Sequence, residues 1–352
     1  MRREIFYSII CPMVGSITVL VIGLSASAET SHPRLTQVTW TIDIAPIIQR
    51  RCVGCHVDGG FAPMPLARYE DARNWSRSIA EHAMEGSMPP WPAAPGVGDF
   101  TNDRSLTPIE VELLESWAEG GAAEGPAAST MTSPMTKSLA ATRTPDVLLD
   151  LSPSATGASR VTRYTLATEI DRERWITGWE FQPRQPSRVE RAVLGVAADG
   201  RIASWLPPEG AVTFPDGVAR RLPPRSTLTV DVYYRKAATP TAEGGRVGLY
   251  FGAAPRHQLR HRSLACGTTI VDEAIDVLAL EPTASEAGAA IEAQARRPDL
   301  SIEPLILIRR FLTWYVPTYR YRSAVRLPRG TRVEVRSTSG DCGLSLDYVP
   351  AR

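Results

Sequence analysis

The residues with the clearest chemistry lie in "RCVGCHVDGG", Arg51 to Gly60, which holds Cys52-Val53-Gly54-Cys55-His56. Two thiols at this spacing lie near one helical turn and reach the two vinyl groups of a single haem. The adjacent imidazole then faces the iron. Cys52 and Cys55 are therefore read as covalent attachment points of one haem c, and His56 as the proximal ligand. A zinc pair would want a second ligand pair nearby, and none is evident. A thioredoxin-like redox pair leaves His56 without a role. The sixth iron ligand should be Met or His, and the candidates are Met64, His82, Met84 and Met88. Met88 in "GSMPPWPAAPG" is preferred, because Pro89 and Pro90 stiffen the loop around a weakly binding thioether. A His/Met pair raises the reduction potential relative to two His ligands.

Elements that would position these groups flank them. "TIDIAPIIQRRCVGCH" places Ile44, Ile47, Ile48 and Cys52 on one face at helical spacing, with Asp43 as N-cap. Thr107-Pro108-Ile109-Glu110 is a capping box with Pro at the first helical position. It opens a helix whose stripe is Ile109, Leu113, Leu114 and Trp117, stopped by Gly120-Gly121. His82 and Met84 fall on a preceding helix. A haem-bearing helix with a C-terminal helix against it resembles class I cytochromes c, which also carry a Met before the last helix.

The 352 residues suffice for two or three domains. A net charge of +1 gives no bulk argument for nucleic acid or an anionic membrane. Arg2 and Arg3, an apolar run from Ile5 to Leu24 and Ala26-Ser27-Ala28 predict a signal peptide over 1–28, with an uncleaved anchor as the alternative. The chain is thus expected in the periplasm, free of membrane after cleavage. There Cys266 and Cys342 meet an oxidising compartment, where a disulfide is the default. The cytochrome segment runs over 29–127 and a small, polar linker over 128–144. Beyond it, "RVTRYTLATEI", "RVERAVLGVAA", "STLTVDVYYRK", "RVGLYFG" and "TRVEVRSTS" read as strands of an all-β sandwich. "TASEAGAAIEAQARRP" looks helical by propensity but sits among strands. The tryptophans, Trp75 and Trp314 included, read as core, and "RRF" and "YRYR" as solvated strand faces.

Further segments carry a family resemblance: "GGFAPMPLARYEDAR", "MPPW", "LPPRSTLTVDVYY", "VGLYFG", "RPDLSIEPL", "FLTWYVPTY" and "LPRGTRVEV". In order, they resemble bacterial proteins that fuse a cytochrome c to a copper type II, ascorbate-dependent monooxygenase module of the peptidylglycine hydroxylase kind. The resemblance implies a small all-α class I cytochrome c domain followed by two all-β jelly rolls, at 145–254 and 255–352. It implies one copper in each roll, held by an adjacent His pair plus a later His, and by His-x-His plus Met. The matching positions read Glu190, Arg191 and Tyr233 in the first roll, and Thr283, Ser285 and Asp341 in the second. None is a copper ligand of the family. The only histidines are His32, His56, His82, His257 and His261. His257 and His261 lie about 13 Å apart if extended, too far for one ion, and are read as surface residues. Cys266 resembles a family cysteine of the second roll, so a Cys266–Cys342 pair would pin that roll.

These readings predict a periplasmic monohaem cytochrome that passes electrons to or from a redox partner protein, with a non-catalytic β module for docking. Haem c is the expected cofactor and copper is not. Two alternatives stay open: a haem-fed copper monooxygenase, and a haem-based binding or sensing protein with an open iron position.

Overall fold

The computed structural model describes residues 37–126, 143–151, 160–197, 200–235 and 244–351. The expected signal peptide and nearly all of the expected linker lie outside the described residues.

A π-helical turn over Trp40–Ile44 runs into helix α1 (Ala45–Arg51), which delivers the Cys52 loop. Ile44, Ile47 and Ile48 are buried on the expected face, and Cys52 packs beside them. The helix starts earlier than the sequence suggests. Asp43 is not its N-cap but lies inside the first turn, where its carboxylate accepts the Thr39 backbone N–H at 2.8 Å. Helices α2 (Tyr69–Asn74) and α3 (Ser76–Met84) follow, with His82 and Met84 on α3. Helix α4 (Pro108–Glu119) has the full capping box between Thr107 and Glu110 and ends at Gly120. Leu114 and Trp117 are buried as expected, but Ile109 is 69% exposed. Glu110 takes the inward place instead, because its carboxylate closes the capping box and receives Arg50 and Arg51.

The remainder is β-sheet. In the first sandwich one sheet runs β1 (Val147–Asp150), β9 (Gly245–Gly252), β3 (Arg174–Pro183), β7 (Val218–Leu222) and β10 (His257–Gln258), with β6 (Val212–Thr213) also on β3. The facing sheet runs β2 (Val161–Ala167), β8 (Thr227–Tyr234), β4 (Val189–Val196) and β5 (Gly200–Trp205). Alternation explains the packing: Leu228, Val230 and Val232 of β8 point into the core, while Thr229, Asp231 and Tyr233 take the other face.

The second sandwich pairs β11 (Arg260–Ala265), β18 (Cys342–Pro350), β13 (Ile275–Ala284) and β16 (Tyr319–Leu327) against β12 (Gly267–Ile270), β17 (Arg332–Ser337), β14 (Ile291–Arg296) and β15 (Ile302–Ile308). The Ala-rich segment with helical propensity forms the end of β13, a turn and β14. Ile291, Ala293 and Ala295 are buried at period two, so sheet packing overrides propensity there. Cys266 and Cys342 are joined, tying the start of β12 to the start of β18.

The chain from Gln37 onward is one compact unit. The segment after Met88 is what joins the helical part to the second sandwich. Ala93 bridges Ile308, Phe100 bridges Tyr321, and both enter the second sandwich's core. Asn102 donates to the Thr318 carbonyl at 2.8 Å and accepts the Arg320 N–H at 3.0 Å. Trp91 packs edge-on against Tyr319 with ring centres 4.9 Å apart. The "YRYR" strand is therefore not a solvated face. Tyr319 is buried, and Arg320 pairs with Glu209 of the first sandwich at 2.7 Å. Among the described residues no helix is long and apolar enough to cross a membrane.

Candidate functional site

A cavity of about 210 Å³ opens beside the Cys52–His56 loop. Its wall contains Cys52, Cys55 and His56 together with Met64, His82 and Met88. Residues spread over more than thirty positions thus meet at one apolar space. Met84 is half exposed on α3 and is not part of that wall.

The loop geometry follows from helix α1 ending at Cys52. The Cys55 and His56 N–H groups both donate to the Cys52 carbonyl at 3.0 Å, which curls the loop into a tight turn. The two thiols are free, not joined to each other. Burial pushes the Cys52 thiol up to about 12, helped by Cys55 and Glu110 against Arg104 and Arg51. Burial also raises the Cys55 thiol, against the pull of Arg104 and Arg235. Both are neutral thiols at physiological pH, unlike reactive thiolates in cationic settings.

His56 donates from Nδ1 to the Met64 carbonyl at 2.9 Å. That bond fixes the tautomer and leaves the Nε2 lone pair free for a metal. Burial lowers the imidazole's proton affinity, partly opposed by the same Met64 carbonyl, which favours the neutral ligand form. His82 is a second imidazole on the wall, but its Nδ1 is tied to Ser87 Oγ at 2.8 Å. The Ser87 and Met88 N–H groups both fold back on the His82 carbonyl, so the Met88 loop is anchored to the end of α3.

These residues fit one haem c. The fit includes two neutral thiols, one oriented imidazole, thioethers on the wall and an apolar lining from Leu66, Ile79, Leu106 and Leu114. Among the described residues no three His, Cys, Asp or Glu side chains converge as a metal centre built of protein donors alone would require. Haem c makes no such demand, since the cysteines bind carbon and one imidazole meets the iron.

Sequence reasoning missed part of this wall. Arg104, Arg235, Phe61, Trp314 and Tyr315 also line the cavity. Arg235 follows β8 of the first sandwich, and Trp314 and Tyr315 precede β16 of the second. Trp314 is thus a cavity residue, and Trp75 is 44% exposed, so neither is core. The loop also touches the first sandwich directly: a methyl group at Gly54 would lie 2.6 Å from the Pro208 ring. No motif announces these residues; a cation directly after an alternating strand and an aromatic pair before another are the only local traces.

The positions matched to copper ligands carry other chemistry. Arg191 and Tyr233 are cross-strand partners, and the guanidinium lies 4.0 Å from the ring centre. Glu190 pairs with Arg160 at 3.5 Å, and burial raises its carboxyl above the usual range against the pull of Arg160, Arg235 and Arg191. Thr283 is partnered with Gly343 on β18, close to Asp341 and to Ser285 just beyond β13. Between the sandwiches, Glu281 is fully buried and accepts from Arg201 at 2.9 and 2.6 Å and from Thr318 at 3.0 Å, with Arg191 at 3.5 Å. Burial pushes the Glu281 carboxyl up, but Arg201 and Arg191 outweigh it and hold it below the usual range. His257 and His261 lie on strands of different sheets. His261 is not a plain surface residue, since it is largely buried and its Nδ1 lies 2.8 Å from Asp347.

No family model matches the chain, and no curated protein matches it. Solved structures with some likeness include the major capsid protein P2 of bacteriophage PM2, at 12% identity and a TM-score of 0.33 over 58% of this chain and 97% of that one. Another is A223, a turret protein of Sulfolobus turreted icosahedral virus, at 10% identity and a TM-score of 0.16 over 58% and 100%. Likeness at this level carries no argument about what this chain does.

Proposed function

We propose that the chain is a periplasmic monohaem c-type cytochrome that transfers electrons, built from a class I cytochrome c segment and two jelly rolls. Cys52 and Cys55 would carry the haem, and His56 Nε2 and Met88 would be its iron ligands. The observation that supports this most is the convergence of Cys52, Cys55, an Nδ1-anchored His56 and Met88 on one apolar cavity. When bound, the haem supplies a one-electron couple. The chain's own residues do the rest: His56 is oriented by Met64, the wall from Leu66 to Leu114 excludes water, and Trp314 and Tyr315 cover the site from the β side.

The β module is read as non-catalytic and as the docking unit for a redox partner protein. The cluster around Glu281, where the two sandwiches meet, is saturated with guanidinium groups. Arg191 and Tyr233 stack on each other in place of imidazoles. This chemistry disfavours the haem-fed copper monooxygenase. A sensor with an open iron position is the remaining alternative, and His82 and Met64 on the same wall argue for a sixth ligand even without Met88.

The test is full-length protein made in cells that mature c-type cytochromes. One haem per chain that survives denaturation is expected, with one iron and no stoichiometric copper. Copper bound at two per chain would overturn the silent β module. A large spectral shift of the reduced protein with carbon monoxide would favour the sensor.

A further inference from the structure

We infer that Arg104 and Arg235 bind the two carboxylates of the haem, so that the β module is a wall of the haem site and not only an appended unit. The inference rests on the haem reading above.

Among the described residues Arg51, Arg104 and Arg235 line the cavity, and no Asp or Glu does. Arg51 already has its counter-charge, since it meets Glu110 at 3.2 Å. Arg104 does not. Its polar neighbours there are the Tyr315 hydroxyl and the Cys55 thiol, both uncharged. The carboxylate acting on it is Glu209, which is engaged by Arg320 at 2.7 Å. The Arg235 guanidinium lies over the Phe61 ring, 4.0 Å from its centre. The carboxylate acting on it is Glu190, which pairs with Arg160. Among the described residues neither Arg104 nor Arg235 makes an ion pair with a carboxylate.

A part-buried cation without a counter-ion is costly, and such a group marks a place where an anion belongs. The ligand that fits must be largely apolar and carry two carboxylates, one for each free guanidinium. Haem has that make-up through its propionates. Planar guanidinium groups bind carboxylates through two parallel hydrogen bonds, and stacking on Phe61 holds the Arg235 plane in place. Arg104 belongs to the segment before α4 and Arg235 to the first sandwich, so one ligand would clamp the helical part to the β module.

The ferric haem carries one more positive charge than the ferrous. A nearby guanidinium disfavours the ferric state, and its loss lowers the midpoint potential. The experiment is spectroelectrochemical titration of the full haem-loaded chain, with Arg104→Gln, Arg235→Gln, the double variant, Arg104→Lys and Arg235→Lys. Resonance Raman of the propionate bending modes is the second readout, and Arg310→Gln on the exposed surface is the control. The Gln variants should retain covalent haem, shift to lower potential, most in the double variant, and show altered propionate modes. The Lys variants should recover most of the potential. Wild-type potential and wild-type propionate modes in the double variant would overturn the inference while leaving the haem reading intact. A wild-type chain that carries no covalent haem would overturn both.

Discussion

The cavity beside the Cys52–His56 loop and the cluster between the sandwiches are both rich in arginine, yet they are electrostatic opposites. In the first, Arg104 and Arg235 face an apolar space with no carboxylate on its wall among the described residues. In the second, Arg201 and Arg191 close on the buried Glu281, and Arg320 closes on Glu209. The same side chain therefore serves two purposes. Where guanidinium groups are compensated from within, the seam is a structural joint. Where they are not, the space is suited to an anionic ligand. One strand separates the two: Tyr233 at the end of β8 stacks on Arg191, while Arg235 just beyond stacks on Phe61.

The largest effect that separates the two regions should come from the loop. Cys52→Ser with Cys55→Ser should abolish haem that survives denaturation, while near-ultraviolet circular dichroism of the β module stays unchanged. The joint should respond the other way. Glu281→Ala leaves Arg201 buried without its partner and should destabilise the fold by about 4 kcal/mol in chemical denaturation. The haem absorption spectrum should not move. If Glu281→Ala instead changes the haem spectrum strongly, the separation of the two regions fails.

Next in size is the second sandwich's cross-link. Cys266→Ser with Cys342→Ser opens a loop closed across 76 positions and should cost roughly 3 kcal/mol. Acid should act on the joint before the cavity. The Glu281 carboxyl is held below the usual range in the folded state, so its stabilisation is present above the unfolded value of about 4.3. It is lost as pH falls through the folded value. Unfolding midpoints measured from neutral to acid pH should fall over that window in wild type and fall less in Glu281→Gln. The smallest effect is local: Thr107→Ala removes the cap of α4 and should cost about 1 kcal/mol, read as a lower denaturation midpoint with unchanged haem content.

Local pattern carried the parts of this architecture that depend on neighbours in the chain. The Cys52 spacing, the Thr107 capping box and the alternation in β8 were all legible, because each is set by residues a few positions apart. Two local readings failed for a stated reason. Ile109 yields its inward place to Glu110, whose carboxylate has three simultaneous partners, and Asp43 lies inside the first turn instead of capping it, its carboxylate taken by the Thr39 N–H. The far wall of the cavity was not legible. Arg235, Trp314 and Tyr315 lie some 180 to 260 positions from His56, and only the tertiary fold brings them there. The ionic joint centred on Glu281 carried no local signal either, since Arg201 and Thr318 lie 80 and 37 positions from it.

The most direct measurement is the pyridine haemochrome of full-length chain purified from a strain that matures c-type cytochromes, taken after denaturation and set beside the metal content of the same sample. The account predicts one thioether-linked haem and one iron per chain, lost together when Cys52 and Cys55 are replaced by Ser. Chain that is folded, carries no covalent haem and binds copper instead would contradict it.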